Sequence, residues 1–477
     1  MTNFFRCVFN SRYARSSRLA IPAPHSGTLA TNFGLGTLIV ALGVNAAMPT
    51  AASAQESPLA QHLAKAIAEA ARMDPTSSPN DHSRHFVFGG ALTTLPAELN
   101  AALGMQVSLF PTAVPSDGLM YSAGGARELG DRLRMGASLV ERAHTVPKGR
   151  FTWGFSRQSD NYSKIDGIDL ERGELVLYFQ HDDGGAAVTP ESANDVLEQT
   201  IALDFDRNVY SFWASVGVTD RFELDFVVPI VKVDMDTRIV SRIERDVELI
   251  PIVHAFNSML ELNTRTTFLS DSATGLGDVS VRAKGALYQS DRGAVAAALT
   301  VQFPTGDADE LLGSGAFRTQ AQFLWSGDYG RMGSHLNAGY SVSFGDASSA
   351  LTATPAAAVP NAAASTIDLD IPAEINVSAG VDVGLSDYVT LVLGGRGRYL
   401  FDSIRFDSRA VQISGFGAPN ALVVSDRGEG LMQAFAVIGT VIRLGGKIQA
   451  NADVMLPILN NGLVPNITAL GGFSWAF

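Results

Sequence analysis

The adjacent residues Ser334 and His335 are of types that could do chemistry. Serine and histidine supply the nucleophile and the base of many hydrolases, but they also need a third polar residue to orient the imidazole. No G-x-S-x-G elbow, H-E-x-x-H zinc pair or phosphate-binding glycine loop with lysine accompanies them. A solvated or hydrogen-bonded histidine is the simpler interpretation, and no catalytic residue is predicted.

Acidic residues form two clusters that could offer oxygen ligands to a cation. One cluster contains Asp160, Asp166, Asp169 and Glu171, and the other contains Asp307, Asp309 and Glu310. Their spacing matches no calcium-binding loop, so solvated surface acids are expected. The single cysteine, Cys7, lies in a segment that we expect to be removed. Neither a metal site nor a cofactor is therefore predicted.

Charged residues of both signs recur in segments that alternate polar and apolar side chains. We expect them on one polar face, with the members Asp234, Asp236, Arg282, Lys284, Arg318, His335, Asp382, Arg396, Arg398 and Asp453. If that face lines a lumen, the simplest role of these mixed charges is a structural network. The alternative is a transverse field that aligns a polar or amphipathic solute.

The elements that must position these residues are β-strands. In 333–344, Leu336, Tyr340 and Val342 alternate with His335 and Asn337, and the same period of two recurs in 276–288, 374–383 and 446–456. Several of these runs reach 11 residues, the length of a tilted membrane-spanning strand. Short turns alternate with long connections, as in outer-membrane barrels. The sequence predicts an all-β transmembrane antiparallel barrel of 12–14 strands over residues 149–477.

One strand changes phase near Pro229. Before it, Glu223 and Asp225 are the polar positions, whereas after it Lys232 and Asp234 take that place. One extra residue at Pro229, a β-bulge, would restore the facing, because proline lacks a ladder donor and is tolerated at such breaks. The predicted bulge either only shapes the wall or marks a lateral exit for an apolar solute.

Both ends of the chain indicate export to an outer membrane. Residues 1–54 combine four arginines, a 13-residue apolar run from Leu35 to Ala47, and a small-x-small site before Gln55, which predicts a signal peptide. The last strand ends in the alternating aromatics Phe473, Trp475 and Phe477. These fit an interfacial girdle and resemble the signal that the bacterial barrel-assembly machinery reads. The expected location is therefore the outer membrane of a Gram-negative cell.

Residues 55–148 are harder to interpret. Leu59, Leu63 and Ile67 share one face of a predicted helix over 55–75, and the rest is rich in Gly, Pro and Ser. A plug or periplasmic lead-in and a disordered leader followed by an early strand both fit this composition.

Five motifs occur in order along the chain: Val216–Leu224, Thr274–Val279, Phe303–Asp307, Leu311–Gly315 and Asn337–Tyr340. Together they resemble the meta-pathway phenol-degradation family of outer-membrane proteins. The family is similar to long-chain fatty-acid channels, which implies a monomeric barrel that passes apolar molecules.

Three functions follow, in this order. The first is passive uptake of small hydrophobic or aromatic compounds, with outer-membrane lipid and the solute as partners. The second is a structural or surface-interaction barrel, and the third is a phospholipase-like enzyme. The formal net charge of −13 argues against a nucleic-acid partner, which needs a basic surface.

Overall fold

The computed structural model describes residues 58–73, 86–87, 95–111, 114–115, 137–138, 141–181, 195–245, 254–257, 262–344, 371–413, 416–444 and 447–477. The predicted signal peptide and the turn at Gly445 and Gly446 lie outside these residues. A 3₁₀ turn, Leu59–Gln61, leads into helix α1, His62–Ala71, and helix α2 spans Leu95–Ser108. Neither described helix is both long and apolar enough to cross a membrane.

Twelve of the described strands form a closed antiparallel barrel, within the predicted range of 12–14. In chain order they are β4 Phe151–Ile165, β7 Val196–Thr219, β8 Phe222–Glu244, β10 Ser280–Ser290, β11 Gly293–Gln302, β12 Phe317–Tyr329, β13 Met332–Phe344, β14 Glu374–Gly384, β15 Val389–Leu400, β18 Leu431–Arg443, β19 Ile448–Pro457 and β20 Leu463–Ala476. Pairing of β20 with β4, β4 with β7, and β7 with β8 completes the ring.

The remaining described strands lie outside this ring. They are β1 Phe86–Val87, β2 Val114–Pro115, β3 Ala137–Ser138, β5 Ile168–Asp169, β6 Leu175–His181, β9 Thr264–Leu276, and the hairpin of β16 Ile404–Ile413 with β17 Phe416–Arg427. Strand β6 extends the wall beside β7, and β9 extends it beside β8.

The two ends of the barrel differ in the length of their connections. At one end short turns join β7 to β8, β10 to β11 and β12 to β13, and β4 begins there where β20 finishes. The other end carries the long connections and the β16–β17 hairpin. In outer-membrane barrels the short turns face the periplasm, and we call that end the lower end.

Alternation along each strand separates a lipid-facing surface from the lumen. In β13, Leu336 and Tyr340 are exposed, whereas His335, Asn337 and Ser341, at the alternate positions, are buried. The same apolar belt continues around the barrel, and it includes the terminal aromatics Phe473, Trp475 and Phe477. The closed sheet pairs the backbone polar groups between strands, and the apolar belt gives it a surface that faces lipid.

The predicted bulge at Pro229 is wrong. Register between β7 and β8 runs unbroken from Val196↔Glu244 to Gly217↔Glu223, with Pro229 opposite Ser211. Odd-numbered residues of β8 face inward throughout. The phase change instead reflects a change of surroundings: the outward face passes from apolar residues facing lipid to charged residues facing water. Above the membrane, the inward face of β8 becomes apolar because it packs against α1.

The true irregularity lies in the neighbouring chain segment, Gly277–Val279. Strand β9 pairs with β8 at Leu276↔Ile230, and β10 pairs with it at Ser280↔Val227, so this side holds one residue more than β8. The Gly277 amide donates to the Pro229 carbonyl at 2.9 Å. Glycine is required here, since a Cβ at 277 would lie 2.7 Å from the Val231 side chain.

The N-terminal segment enters the upper barrel. Helix α1 packs against β8 and β9, with Leu63 and Ile67 in the main apolar core. The residues after α2 continue inward, where Phe110 makes edge-to-face contacts with Tyr162 and Phe435.

Candidate functional site

Segment 141–147 lies in the lower lumen between two walls. One carries Arg282 and Lys284 beside Asp225 and Glu223 and is here called the basic wall, and the other is called the acidic wall. On the basic side, Glu141 pairs with Arg282 and also lies 3.5 Å from the Lys284 ammonium. Lys284 pairs in turn with Glu223 at 2.6 Å, and Glu223 accepts the Val146 amide. All these side chains are at most 3% exposed, so the pairs are removed from water.

The acidic wall faces the next residues of the same segment. Arg142 pairs with Asp382, and His144 lies 3.3 Å from Asp328. The Ala143 amide donates to Ser326 Oγ at 2.9 Å. Segment 141–147 therefore presents a negative charge to the bases and a positive charge to the acids, which fixes its orientation across the lumen.

His335 holds the acidic wall together. One ring nitrogen contacts Ser326 Oγ at 2.9 Å and the other contacts Asp382 at 2.7 Å. Ser334, the neighbour in sequence, faces outward, so the two residues of the original pair lie on opposite sides of the strand. The Ser326–His335–Asp382 chain has the residue types of a hydrolytic triad. Because Ala143 donates to Ser326 and Arg142 pairs with Asp382, this chain holds segment 141–147.

A cavity of ≈ 140 Å³ lies in the barrel above this network. One part of its lining is apolar, with Leu109, Phe110, Val209, Leu311 and Leu312. Another part is charged, with Arg207, Arg318, Glu374 and Arg396. Pro229 faces inward and lines this cavity.

The arginines beside Glu374 are incompletely paired. Arg318 donates to Glu374 at 2.7 Å, and Arg398 lies 3.4 Å from the same carboxylate oxygen. Arg396 has no hydrogen-bond or ion-pair partner within the part of the chain that the structure describes. On another wall, Arg207 pairs with Asp160 at 3.4 Å.

The other predicted lumen residues divide into two groups. Asp453 is buried and accepts a hydrogen bond from Asn451 at 3.1 Å. Asp234 and Asp236 face outward above the lipid belt, where Asp234 pairs with Lys232, so their assignment to the lumen is wrong. The same cause explains the wrong prediction of a bulge at Pro229, because polarity does not indicate facing in a strand that leaves the membrane.

The residues 303–316 form a loop, here called the inner loop, that is anchored by Asp278. This carboxylate accepts hydrogen bonds from Gln302, the Gly306 amide, and both the amide and hydroxyl of Ser314, at 2.7–3.1 Å. The motifs Thr274–Val279, Phe303–Asp307 and Leu311–Gly315, which are distant in sequence, therefore meet at one place. A Cβ at Gly313 would lie 2.4 Å from Asp278, so only glycine fits there without displacement.

The inner loop also contacts the 3₁₀ turn that precedes α1. The Ala60 amide donates to the Asp309 carbonyl at 2.9 Å, and Glu310 accepts the Leu59 amide at 3.3 Å. Burial raises the pKa of Glu310 and of Asp309, and the neighbouring acids add to both shifts. On α1 itself, burial lowers the pKa of His62, which hydrogen-bonds Thr237 at 2.9 Å. Among the described residues, no cluster of His, Cys, Asp or Glu is placed to hold a metal ion.

Sequence reasoning missed several residues of these sites. The alternation in 374–383 places Glu374 on the polar face of β14 with Asp382, but the predicted set of lumen residues does not include it. Glu141 and Arg142 lie in a segment without strand periodicity, and no local signal identifies their partners. Asp278 lay within a family motif, but its role depends on a loop 28 to 36 residues away in sequence.

The closed barrel with its apolar belt and buried polar interior defines an outer-membrane β-barrel protein. Residues 181–400 match the family described as "Putative MetA-pathway of phenol degradation", which confirms the resemblance seen in the motifs. No curated protein matches the chain.

Solved structures of outer-membrane channels are similar to the chain at low identity. An outer membrane channel from Pseudomonas putida F1 is 12% identical, with a TM-score of 0.42 over 70% of this chain and 98% of that one. A FadL homologue from Pseudomonas aeruginosa is 11% identical, with a TM-score of 0.28 over 69% and 89%. The Ralstonia pickettii toluene transporter TbuX is 10% identical, with a TM-score of 0.31 over 70% and 90%. Scores this low carry no argument about cargo.

Proposed function

We propose that the protein is a channel for the passive uptake of small hydrophobic or aromatic compounds across the outer membrane. The observation that supports this most is the cavity above segment 141–147, whose apolar lining includes Phe110, Leu311 and Leu312. Its volume of ≈ 140 Å³ is close to that of an apolar cavity of about 150 Å³ that binds benzene in another protein. A cavity of this size suits a single aromatic ring.

The route out of the cavity is the second part of the proposal. We infer that segment 141–147, which pairs with both walls of the lower lumen, blocks a route downward, and backbone pairing on both sides of Pro229 leaves no gap there. Strand β9 pairs with β8 along one edge, and no described strand pairs with its other edge. This unpaired edge begins above the hydrogen bond that the Phe303 amide donates to the Val279 carbonyl. The inner loop lies at this position. We therefore place the lateral exit beside the inner loop, between β9 and β12, instead of at Pro229.

The second candidate is a barrel with a structural or surface-interaction role. It is favoured by the charged network that closes the lower lumen, since such a network can simply fill a barrel. In either role we expect a monomer surrounded by outer-membrane lipid, with Phe473, Trp475 and Phe477 read by the barrel-assembly machinery. These partners are proposals that rest on the C-terminal sequence and the exposed aromatic belt.

Uptake of a panel of labelled hydrophobic compounds, in cells with and without the gene, tests the channel. We expect faster uptake of small aromatic compounds when the gene is present. Asp278→Asn, which removes one acceptor from the inner loop's anchor, should change that rate, and Gly395→Ala is the matched control in the wall because its new Cβ meets nothing closer than 3.5 Å. Equal uptake of every compound with and without the gene would reject the channel and leave the structural barrel.

A further inference from the structure

The central cavity contains more positive than negative charge, in contrast to an ordinary filled barrel. Among the described residues that line or adjoin it, Arg207, Arg318, Arg396 and Arg398 face three carboxylates, those of Asp160, Asp278 and Glu374. One positive charge is therefore in excess. Charges inside a protein are ordinarily paired, because an unpaired ion loses its hydration without compensation.

The excess is concentrated at Glu374. This carboxylate is shared between Arg318 and Arg398, so neither guanidinium has a carboxylate of its own. Buried donors remain unsatisfied on both, at Arg318 Nη1 and Arg398 Nε, and the Arg398 side chain is only 1% exposed. Arg396 lines the same cavity and lacks a partner among the described residues.

Unsatisfied guanidinium donors determine which ligand fits. The planar fork of arginine matches the two oxygens of a carboxylate and binds them in a bidentate manner. The apolar lining at Phe110, Leu311 and Leu312 offers a place for a hydrocarbon body attached to that carboxylate. The volume of ≈ 140 Å³ limits the body to roughly one aromatic ring.

We propose that the cavity binds a small amphipathic monocarboxylate, with its carboxylate on Arg318 and Arg396 and its ring or short chain against Phe110. This specifies the cargo class of the proposed channel, and it rests on that proposal for its biological meaning. The binding site itself can be tested without any transport. A single excess positive charge selects a monoanion, and a neutral ring of the same size lacks the group that the arginines would bind.

Calorimetric titration of the purified protein in a non-ionic detergent tests the site, with benzoate as the probe. Benzamide serves as the neutral control of equal size, and acetate as the anion without a ring. We expect benzoate to bind at least tenfold more tightly than either. Arg396→Gln should weaken benzoate binding about tenfold to a hundredfold, as expected for the loss of a charge-assisted hydrogen bond, and should leave benzamide unaffected.

A second variant is expected to change the benzoate affinity in the opposite direction. Glu374→Gln removes the carboxylate that competes for the same arginines, so benzoate should bind more tightly than in the wild type. Arg331→Gln, an exposed turn residue, is the matched control and should change nothing. Equal binding of benzoate and benzamide, or an unchanged benzoate affinity in both Arg396→Gln and Glu374→Gln, would overturn the proposal. Benzoate binding without gene-dependent uptake would keep the site and reject the channel.

Discussion

The lower lumen and the central cavity both bring charged side chains inside the barrel, but they balance those charges differently. In the lower lumen the charged residues of segment 141–147 meet opposite charges on the two walls. In the central cavity Arg318 and Arg398 share Glu374, and Arg396 has no hydrogen-bond or ion-pair partner among the described residues. Paired charges fix a segment in place, whereas a guanidinium without a carboxylate of its own is available to a ligand. We therefore propose that the lower lumen closes the barrel and that the central cavity recognises a solute.

The largest effect on the free energy of unfolding is expected from removing one partner of a buried ion pair in the lower lumen. Asp382→Asn removes the charge that faces both Arg142 and His335, and so leaves a buried guanidinium uncompensated. Loss of one partner of a buried pair costs about 3–5 kcal/mol. Urea unfolding in lipid bilayers should show a decrease of this size, and planar-bilayer recordings should show higher conductance as segment 141–147 loosens.

Asp291→Asn is the control for this experiment, because Asp291 lies exposed in the turn between β10 and β11. If Asp382→Asn unfolded at the wild-type urea concentration with unchanged conductance, the lower network would not be the closure.

A smaller effect of opposite sign is expected in the central cavity. Arg396→Met removes a cation without a partner among the described residues and replaces it with an apolar side chain of comparable length. The free energy of unfolding should rise by about 1 kcal/mol, because an uncompensated charge no longer has to be desolvated. The same urea titration measures it. A loss of stability as large as that of Asp382→Asn would remove the distinction between the two regions.

The smallest expected effect is a dependence of the stability of α1 on pH. Burial lowers the folded-state pKa of His62 below its ordinary 6.5, although Asp271 and Asp236 oppose the shift and Lys65 adds to it. The stability from burying the neutral imidazole is therefore complete above about pH 6.5 and decreases as the pH falls toward the folded-state pKa. Hydrogen exchange of the α1 amides should be faster at pH 5.5 than at pH 7.5, after correction for intrinsic exchange rates. Identical protection at both values would contradict this, and His62→Gln should abolish the difference.

Sequence alternation predicts the barrel because facing and polarity coincide wherever a strand lies within the membrane. In β13 the buried set His335, Asn337 and Ser341 is the set that period two indicates. The same reasoning fails in β8, because the strand continues above the lipid and its polarity inverts while its facing does not. The polarity of a residue reflects whether its side chain contacts lipid, water or protein. It indicates whether the side chain faces inward or outward only where the outer face of the strand lies in lipid throughout.

The sites are less predictable than the fold. Arg282, Lys284, Arg318, Arg396 and Arg398 can be placed on the inner face from the sequence. Which of them pair depends on segment 141–147 and on Glu374, and the segment contributes residues with no periodic pattern. The anchor at Asp278 likewise depends on a contact across 36 residues of chain. Long-range pairing of this kind leaves no local signature.

The most direct test of the proposed channel is a substitution that fills the central cavity. Ser280 faces inward and lines the cavity, whereas its neighbour Val281 faces the other side of β10. In cells that express equal amounts of folded protein, Ser280→Trp should reduce uptake of a labelled single-ring aromatic compound to the level of cells without the gene. Val281→Trp should retain wild-type uptake. Undiminished uptake by Ser280→Trp would contradict passage through the central cavity.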